Sequence, residues 1–301
     1  MRLGYACLNI TLGEFGGFKT AKKQTFLEKG LSYVGDLCLV NLERLKTILE
    51  WNSINHIGLY RMSSSMVPWA SEYKLQELPQ FEKIQSKLTE IGNFAKSNSM
   101  RLTYHPGQFN VLSSNNENVI LNSIRDLEHH AEMMDLMGLE KTHFSKINIH
   151  VGGVFGNKNE ALERWRKNFE RLSASVQSRL TVENDDKVNC YSVKDLYDGI
   201  YKFVGTPIVY DQHHHIIGAN SQKLSCDEAI QMASETWPAG ITQVCHLSNS
   251  ASEFEEKDTG LQAHSDYIYR PFINNNKLEI DLIIEAKKKE LALMDYTSKF
   301  L

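Results

Sequence analysis

Short apolar segments rich in β-branched or aromatic residues recur along the whole chain, and longer segments with helically spaced apolar residues separate them. The short segments predict eight strands, at residues 2–6, 56–61, 101–104, 146–149, 179–182, 208–210, 242–245 and 278–284. The longer segments predict helices at residues 41–52, 80–96, 118–137, 158–176, 192–201 and 226–235. This alternation predicts right-handed βαβ crossovers and a mainly parallel sheet, either open and doubly wound or closed into an eightfold barrel.

Two features favour the closed sheet, a TIM-type (β/α)8 barrel. Gly13, Gly16 and Gly17 come too late and too irregularly after the first strand to form the GxGxxG turn of a dinucleotide-binding sheet. Candidate metal ligands follow nearly every strand, and the carboxyl ends of barrel strands converge on one mouth. Because no linker rich in proline or serine divides the chain, residues 1–301 are predicted to form a single domain. The segments without periodicity are predicted to be binding loops at that mouth: residues 8–35, 62–78 and 248–266.

The residues that end the apolar segments are ligand types that zinc and manganese accept. They are His105, His150, Glu183, Asp211, His214, His246, His264 and Glu285. Any one histidine at a strand end could be a hydrogen-bonded structural group, but eight such residues in one mouth could hold two or three ions. Without metal, the carboxylates among them would repel one another when packed together.

The strongest local signal is the run of residues 210–215, YDQHHH. In an extended or turning segment Asp211 and His214 can face one cavity, whereas His213 and His215 are expected to point elsewhere. A solvent-exposed, histidine-rich turn is the alternative interpretation. Glu183 and Glu285 each close an apolar strand, and a carboxylate in that position is costly unless it is paired or binds metal.

Composition excludes several classes of protein. The chain is 42% hydrophobic and 23% charged, and it has neither an 18-residue apolar run nor an N-terminal signal region, so an intracellular globular protein without a membrane span is expected. Five cysteines without a CxxC motif predict free thiols. A net charge of -4 argues against a protein that simply coats nucleic acid. Clustered divalent ions favour phosphodiester hydrolysis, and a metal-dependent sugar isomerase or epimerase is the main alternative.

Six motifs in register resemble those of the UV damage endonucleases, a family similar in fold and metal site to the barrel AP endonucleases. The motifs are LGYACLN at residues 3–9, YHPGQF at 104–109, HVGG at 150–153, VEND at 182–185, DQHH at 211–214 and EAKxKE at 285–290. The resemblance implies a barrel that binds up to three divalent ions, with manganese favoured. It also implies that the protein incises double-stranded DNA immediately 5′ to a cyclobutane dimer or a 6-4 product and leaves a 3′-hydroxyl.

The resemblance also implies a division of the ligands among the ions. Glu183, Asp211, His246 and Glu285 would hold one ion and are the predicted catalytic residues. His105 and His150 would hold a second ion that shares Glu183, and His214 and His264 a third. A monomer that acts at the nucleoid is expected, and an AP endonuclease, which would prefer an abasic site, is the nearest alternative.

Four further residues are predicted from the resemblance to contact the lesion. Gln108 and Phe109 match the loop that probes the damaged duplex, where an amide and a ring can replace pairing and stacking. Tyr5 and Asn9 match residues that line the lesion pocket. For Phe109 and Tyr5 the alternative is a place in the hydrophobic core.

The chain departs from the family pattern at three positions. Phe109 stands where some members have tyrosine, which keeps the ring but lacks the hydroxyl. Val244, two residues before His246, replaces a lysine that some members have at the metal site, so a ligand made by lysine modification cannot form there. Glu72 occupies a position that is often histidine, and its role is left open.

Overall fold

The computed structural model describes residues 1–219 and 223–301. Its strands form one closed parallel barrel in the order β1 to β8. The strands are β1 (Leu3–Ala6), β2 (Leu59–Met62), β3 (Arg101–Tyr104), β4 (Ile147–His150), β5 (Leu180–Glu183), β6 (Ile208–Asp211), β7 (Gln243–Leu247) and β8 (Ile280–Ile284). The prediction of a (β/α)8 barrel is confirmed, and the open sheet is excluded because β1 pairs with both β2 and β8.

The first strand closes the barrel through a glycine. Gly4 pairs with Leu59 on β2 and with Ile283 on β8. A Cβ at Gly4 would lie 2.2 Å from the carbonyl oxygen of Leu59, so only glycine permits this approach of the two strands.

Helices cover the outside of the barrel and connect its strands. They are α1 (Lys23–Ile54), α2 (Phe81–Ser97), α3 (Glu117–Leu136), α4 (Lys158–Phe169), α5 (Ala174–Gln177), α6 (Val193–Leu196), α7 (Lys202–Val204), α8 (Gln212–Ile217), α9 (Cys226–Ser234), α10 (Ala251–Phe254) and α11 (Lys289–Phe300). As for membrane association, no helix among the described residues is both long enough and apolar enough to span a bilayer.

The structure differs from the predicted elements around α1, α4 and α11. The loop predicted at residues 8–35 ends at Lys23, where α1 begins, and the non-helical backbone of Gly30, with φ 70°, divides α1 into two helical parts that meet at a kink. The helix predicted at 158–176 is divided, because the Ser173 side chain caps a new short helix by accepting a hydrogen bond from the Val176 amide. The helix α11, after the last strand, was not predicted.

The hydrophobic core has two parts. The larger part lies between the barrel and the helices. The smaller part includes Leu59, Val209, Val244 and Ile283, from four different strands. Because strand side chains alternate between faces, the residues two positions further along these strands point into the barrel as well. Those residues are Arg61, Asp211, His246 and Glu285.

Candidate functional site

The eight predicted ligands gather at the carboxyl end of the barrel. Six lie in a strand or directly after one, and they follow the strands from β3 to β8 in order. His214 lies on α8, and His264 lies in the loop after β7. A cavity of about 490 Å³ opens there. His105, His150, Glu183, His214, His264 and Glu285 line the cavity, and Asp211 and His246 are fully buried beside them.

Glu183 is the centre of this cluster. Its Oε2 atom lies 3.1 Å from His105 Nε2 and 3.1 Å from His246 Nδ1. Its Oε1 atom lies 3.2 Å from His214 Nδ1 and 3.9 Å from His150 Nε2. The two carboxylate oxygens therefore face different pairs of imidazoles, which is the arrangement of a bridging ligand.

Two groups of ligand atoms are compact enough to hold a metal ion. In each, the ligand atoms lie within 4.8 Å of one another; one group is His105, His150 and Glu183, and the other is Glu183, Asp211 and His246. Among the described residues, Asp211 Oδ2 and His246 Nε2 have no hydrogen-bond partner. Buried acceptors without partners are unfavourable in a purely structural cluster, so the donor set fits divalent ions.

The local fold around Asp211 explains how one short run supplies two ligands. Asp211 ends β6 and caps α8, because its Oδ1 accepts a hydrogen bond of 2.7 Å from the His214 amide. His214 Nδ1 lies 3.0 Å from the Asn184 carbonyl oxygen, which leaves Nε2 free as a ligand. His213 Nε2 lies 3.0 Å from the carbonyl oxygen of Leu261, and His215 contacts Leu224, so both point elsewhere as predicted.

The pKa values of the three carboxylates are shifted in different directions: that of Asp211 is raised, and those of Glu183 and Glu285 are lowered. Burial raises the pKa of Asp211, and the charges of Glu183 and Glu285 raise it further. Burial acts the same way on Glu183, but the nearby histidines, His246 first, hold its pKa well below the usual range. For Glu285, burial is opposed mainly by the guanidinium of Arg61, and its pKa is also well below the usual range.

The pKa values of the histidines are also shifted, some downward and some upward. Burial lowers the pKa of His105 to about 4, so this ring is neutral and can offer a lone pair at neutral pH. Burial also lowers the pKa of His214, but Asp211 and Glu183 together raise it well above its ordinary value. His264 is half-buried, and its Nδ1 atom lies 4.0 Å from Glu285 Oε2, further from the carboxylates than the other rings.

Three residues of the site were not predicted from the sequence. Arg61, the third residue of β2, donates a hydrogen bond to Glu285. Asn148 donates one to Glu183, and the carboxylate of Asp185 lies 3.6 Å from His150 Nδ1. The strand alternation could have identified Asn148, two residues before His150, whereas Arg61 is not a metal-ligand type and its partner Glu285 is distant in sequence.

The predicted lesion-contacting residues occupy two different environments. Gln108 lines the cavity, and Phe109 beside it is 81% exposed, so the core alternative for Phe109 is wrong. Tyr5 and Asn9 are buried instead: the Asn9 amide donates a hydrogen bond of 2.9 Å to the Tyr5 hydroxyl, which donates one of 2.7 Å to Asn52. The structure therefore does not bring this pair into the cavity, because strand alternation turns Tyr5 toward α1.

Val244 and Glu72, the two other positions at which the chain departs from the family pattern, lie in different parts of the structure. Val244 belongs to the apolar layer inside the barrel, two residues below His246, and offers no ligand. Glu72 is exposed on the loop after β2, with Lys23 Nζ at 3.5 Å, and lines a separate cavity of about 460 Å³ beside Phe109. Glu72 is thus not part of the carboxylate and histidine cluster.

Comparison with known sequences identifies relatives along the whole chain. The family model described as UV-endonuclease UvdE matches residues 1–300. A UV-damage endonuclease of Schizosaccharomyces pombe is 37% identical over 99% of this chain, which spans half the length of that relative. A UV DNA damage endonuclease of Bacillus cereus is 33% identical, with 97% of this chain and 92% of the relative aligned.

Solved structures agree with the fold. The crystal structure of SacUVDE has a TM-score of 0.85 and 34% identity, and the alignment covers 99% of this chain and 97% of that one. A 3-keto-D-glucoside 4-epimerase from E. coli has a TM-score of 0.56 at 12% identity over 99% of this chain and 98% of that one. At such low identity the second likeness concerns the barrel fold alone.

Proposed function

The chain belongs to the UV-endonuclease UvdE family, and from this premise we propose that it incises DNA immediately 5′ to UV photoproducts with a multinuclear divalent metal site. Cyclobutane dimers and 6-4 products are both proposed substrates, and the product carries a 3′-hydroxyl. The observation that carries the metal site is the position of Glu183, whose two oxygens face different imidazoles. We propose that the protein acts as a monomer inside the cell, at the nucleoid.

The proposed ligand division follows the two compact groups. Glu183, Asp211, His246 and Glu285 would hold one ion and are the proposed catalytic residues. His105 and His150, together with Glu183, would hold a second. His214 and His264, which also line the cavity, would hold a third. When bound, the ions, manganese by preference, polarise the scissile phosphate and neutralise charge on the attacking and leaving oxygens.

Neighbouring side chains hold the ligands in place. Asn148 donates to Glu183 and so directs its carboxylate across the barrel axis. Asp185 lies beside Nδ1 of His150, where it favours the tautomer that presents Nε2 toward Glu183. Asn184 joins β5 to β6, because its amide donates to the Asp211 carbonyl oxygen and its own oxygen accepts from the Asp211 amide, both at 2.9 Å.

Recognition of the lesion is proposed to begin at the rim of the cavity. Phe109 presents an exposed ring, and Gln108 next to it offers an amide, so the pair can replace a flipped base in the duplex stack. Tyr5 and Asn9 remain proposed lesion-pocket residues. Because both are buried, we propose that their hydrogen bond fixes the loop after β1, whose exposed side chains include Leu8 and Ile10, and that this loop contacts the lesion.

Positive side chains near the mouth would contact the phosphates. Lys187 lines the cavity, and Lys19, Lys22 and Lys23 are exposed on the segment after β1. These contacts are independent of sequence, as expected for an enzyme that recognises damage, and they make DNA binding sensitive to salt.

An incision assay tests the proposal directly. The purified protein is incubated with manganese and end-labelled duplexes that carry one cyclobutane dimer, one 6-4 product, one abasic site or no damage. We expect a single cut immediately 5′ to each photoproduct, with an end that a polymerase can extend. Absence of incision beside both photoproducts would refute the proposal, and a strong preference for the abasic duplex would establish the AP endonuclease alternative.

A further inference from the structure

Strand β2 carries a cation, Arg61, one residue before its end, whereas strands β3 to β8 carry predicted metal ligands at their ends or within one residue of them. Arg61 pairs with Ala6 on β1 and with Thr103 on β3. It lies two residues after Leu59 of the inner apolar layer, so its side chain points into the barrel. That side chain is only 13% exposed and lines the same cavity as the histidines.

Arg61 and His246 meet the same oxygen atom. The Nη1 atom of Arg61 donates to Glu285 Oε1, and His246 Nδ1 lies 3.0 Å from that oxygen. Among the described residues, Glu285 is the hydrogen-bond acceptor of the guanidinium, and Arg61 Nε has no partner. An ion held beside His246 by Glu183, Asp211 and Glu285 would meet Glu285 on the side of Oε1, which is the oxygen near His246 and the acceptor of Arg61.

Arg101, the first residue of β3, is an example of a guanidinium that is fixed by several hydrogen bonds. Arg101 donates to the carbonyl oxygens of Phe144, Thr242 and His143 as well as to Asp281. To move Arg101, several bonds would have to break at once. Arg61 is held through one carboxylate, so its pairing can exchange for another cation.

We propose that Arg61 competes with the metal ion for Glu285 Oε1 and thereby lowers the metal affinity of the group formed by Glu183, Asp211, His246 and Glu285. This inference rests on the proposed metal site. The physical reason is that a guanidinium and a divalent cation repel each other and require the same acceptor, so the energy of the arginine pair is subtracted from the energy of metal binding. The opposite role, in which Arg61 orients Glu285 for the metal, predicts the opposite effect of removing it.

Calorimetric titration of the protein with manganese, without DNA, distinguishes the two roles by sign. In Arg61→Gln we expect the affinity of this group to rise about tenfold, because a hydrogen bond to a charged group is removed from the competing state. Arg61→Met keeps the apolar stem and is expected to show the same gain, so the test does not depend on one variant folding. Lower or unchanged affinity in a folded variant would overturn the inference.

Two further variants separate competition from a general effect of charge. Arg171→Gln removes a guanidinium from an exposed pair with Glu117, 2.6 Å away, and should leave metal affinity unchanged. In a Glu285→Gln background, the gain produced by Arg61→Gln should disappear, because the shared oxygen no longer belongs to a carboxylate. Persistence of the gain in that background would show that Arg61 acts through its field rather than by competition.

These titrations are independent of the incision assay. If the wild-type protein cuts photoproduct DNA but Arg61→Gln binds manganese more weakly, the inference fails and the proposed function stands. If the wild-type protein binds no manganese, the proposed metal site fails first.

Discussion

Both ends of the barrel interior contain buried charged groups, but the two ends differ in whether these groups have hydrogen-bond partners. At the amino end, Arg101 makes four hydrogen bonds, and the carboxylate of Asp281 accepts from both Arg2 and Arg101. At the carboxyl end, acceptors of Asp211 and His246 lack hydrogen-bond partners among the described residues. A saturated network stabilises the fold, whereas an unsaturated one indicates a ligand.

The difference shows how a buried ionic cluster can be assigned a role. The count of charged groups does not separate the two ends, since each has arginine and carboxylate in contact. What separates them is whether every donor and acceptor has a partner. If this is correct, substitutions at the amino end should change stability, and substitutions at the carboxyl end should change metal binding and incision.

The largest effect is expected from Glu183→Gln at the carboxyl end. The amide keeps the shape of the side chain but cannot bridge two ions, so incision should fall by about a thousandfold or more. The manganese bound per chain should also fall, while circular dichroism reports a folded barrel. Incision at the wild-type rate would show that Glu183 is not a bridging ligand.

At the amino end, Asp281→Asn should lower the free energy of unfolding by about 3 to 5 kcal/mol, because it leaves the guanidinium of Arg101 buried without a counter-charge. Urea unfolding measures this change. Manganese affinity per folded molecule should remain that of the wild type. A variant with wild-type stability but weakened metal binding would reverse the assignment of the two ends.

Between the two ends lies Lys146, fully buried, with no hydrogen-bond partner for Nζ among the described residues. Burial lowers its pKa to about 7, from 10.5 in the unfolded chain. The folded state therefore binds fewer protons than the unfolded state between these values, so stability is lost as pH falls from about 10.5 toward 7.

Lys146→Met should remove this penalty. In the presence of a chelator, the variant should be more stable than the wild type by several kcal/mol at pH 7 and below, and the difference should fade as the pH approaches 10.5. Unfolding curves across this pH range measure the effect. A difference that does not vary with pH would mean that Lys146 finds a partner that stabilises its charge.

The smallest effect on stability is expected from a substitution at the rim of the cavity. Phe109→Ala should change the free energy of unfolding by less than about 0.5 kcal/mol, since the ring is 81% exposed. Incision beside a photoproduct should fall about tenfold, the amount expected when one stacking contact with a base is removed. Phe203→Ala, which removes an exposed ring from α7, is the matched control and should leave incision unchanged.

The strand order and the gathering of the carboxylates and histidines at one end of the barrel could be predicted from the sequence, because both depend on local patterns. The apolar segments identify the strands, and the residue after each segment identifies the ligand, as at Glu183 and Asp211. The family resemblance added the likeness of Gln108 and Phe109 to a probing loop, which neither spacing nor composition could indicate.

The remaining features depend on contacts that local patterns do not contain. The apolar spacing of Val34, Leu37 and Leu45 predicts helix, but Gly30 and the polar first turns of α1 concealed where the helix begins. The burial of Tyr5 depends on Asn52, 47 residues away. Arg61 was missed because its partner Glu285 is distant in sequence and only barrel closure brings the two together.

Closure of the barrel has a consequence for when this protein can act during its synthesis. A nascent chain extended as far as β5 already contains His105, His150 and Glu183, but Asp211, His246 and Glu285 arrive only with β6, β7 and the end of β8. The pairing of β8 with β1 is therefore the last event that completes the cluster. Unfinished chains and proteolytic fragments that lack β8 and the residues after it therefore lack Glu285 and cannot assemble the full cluster of carboxylates and histidines.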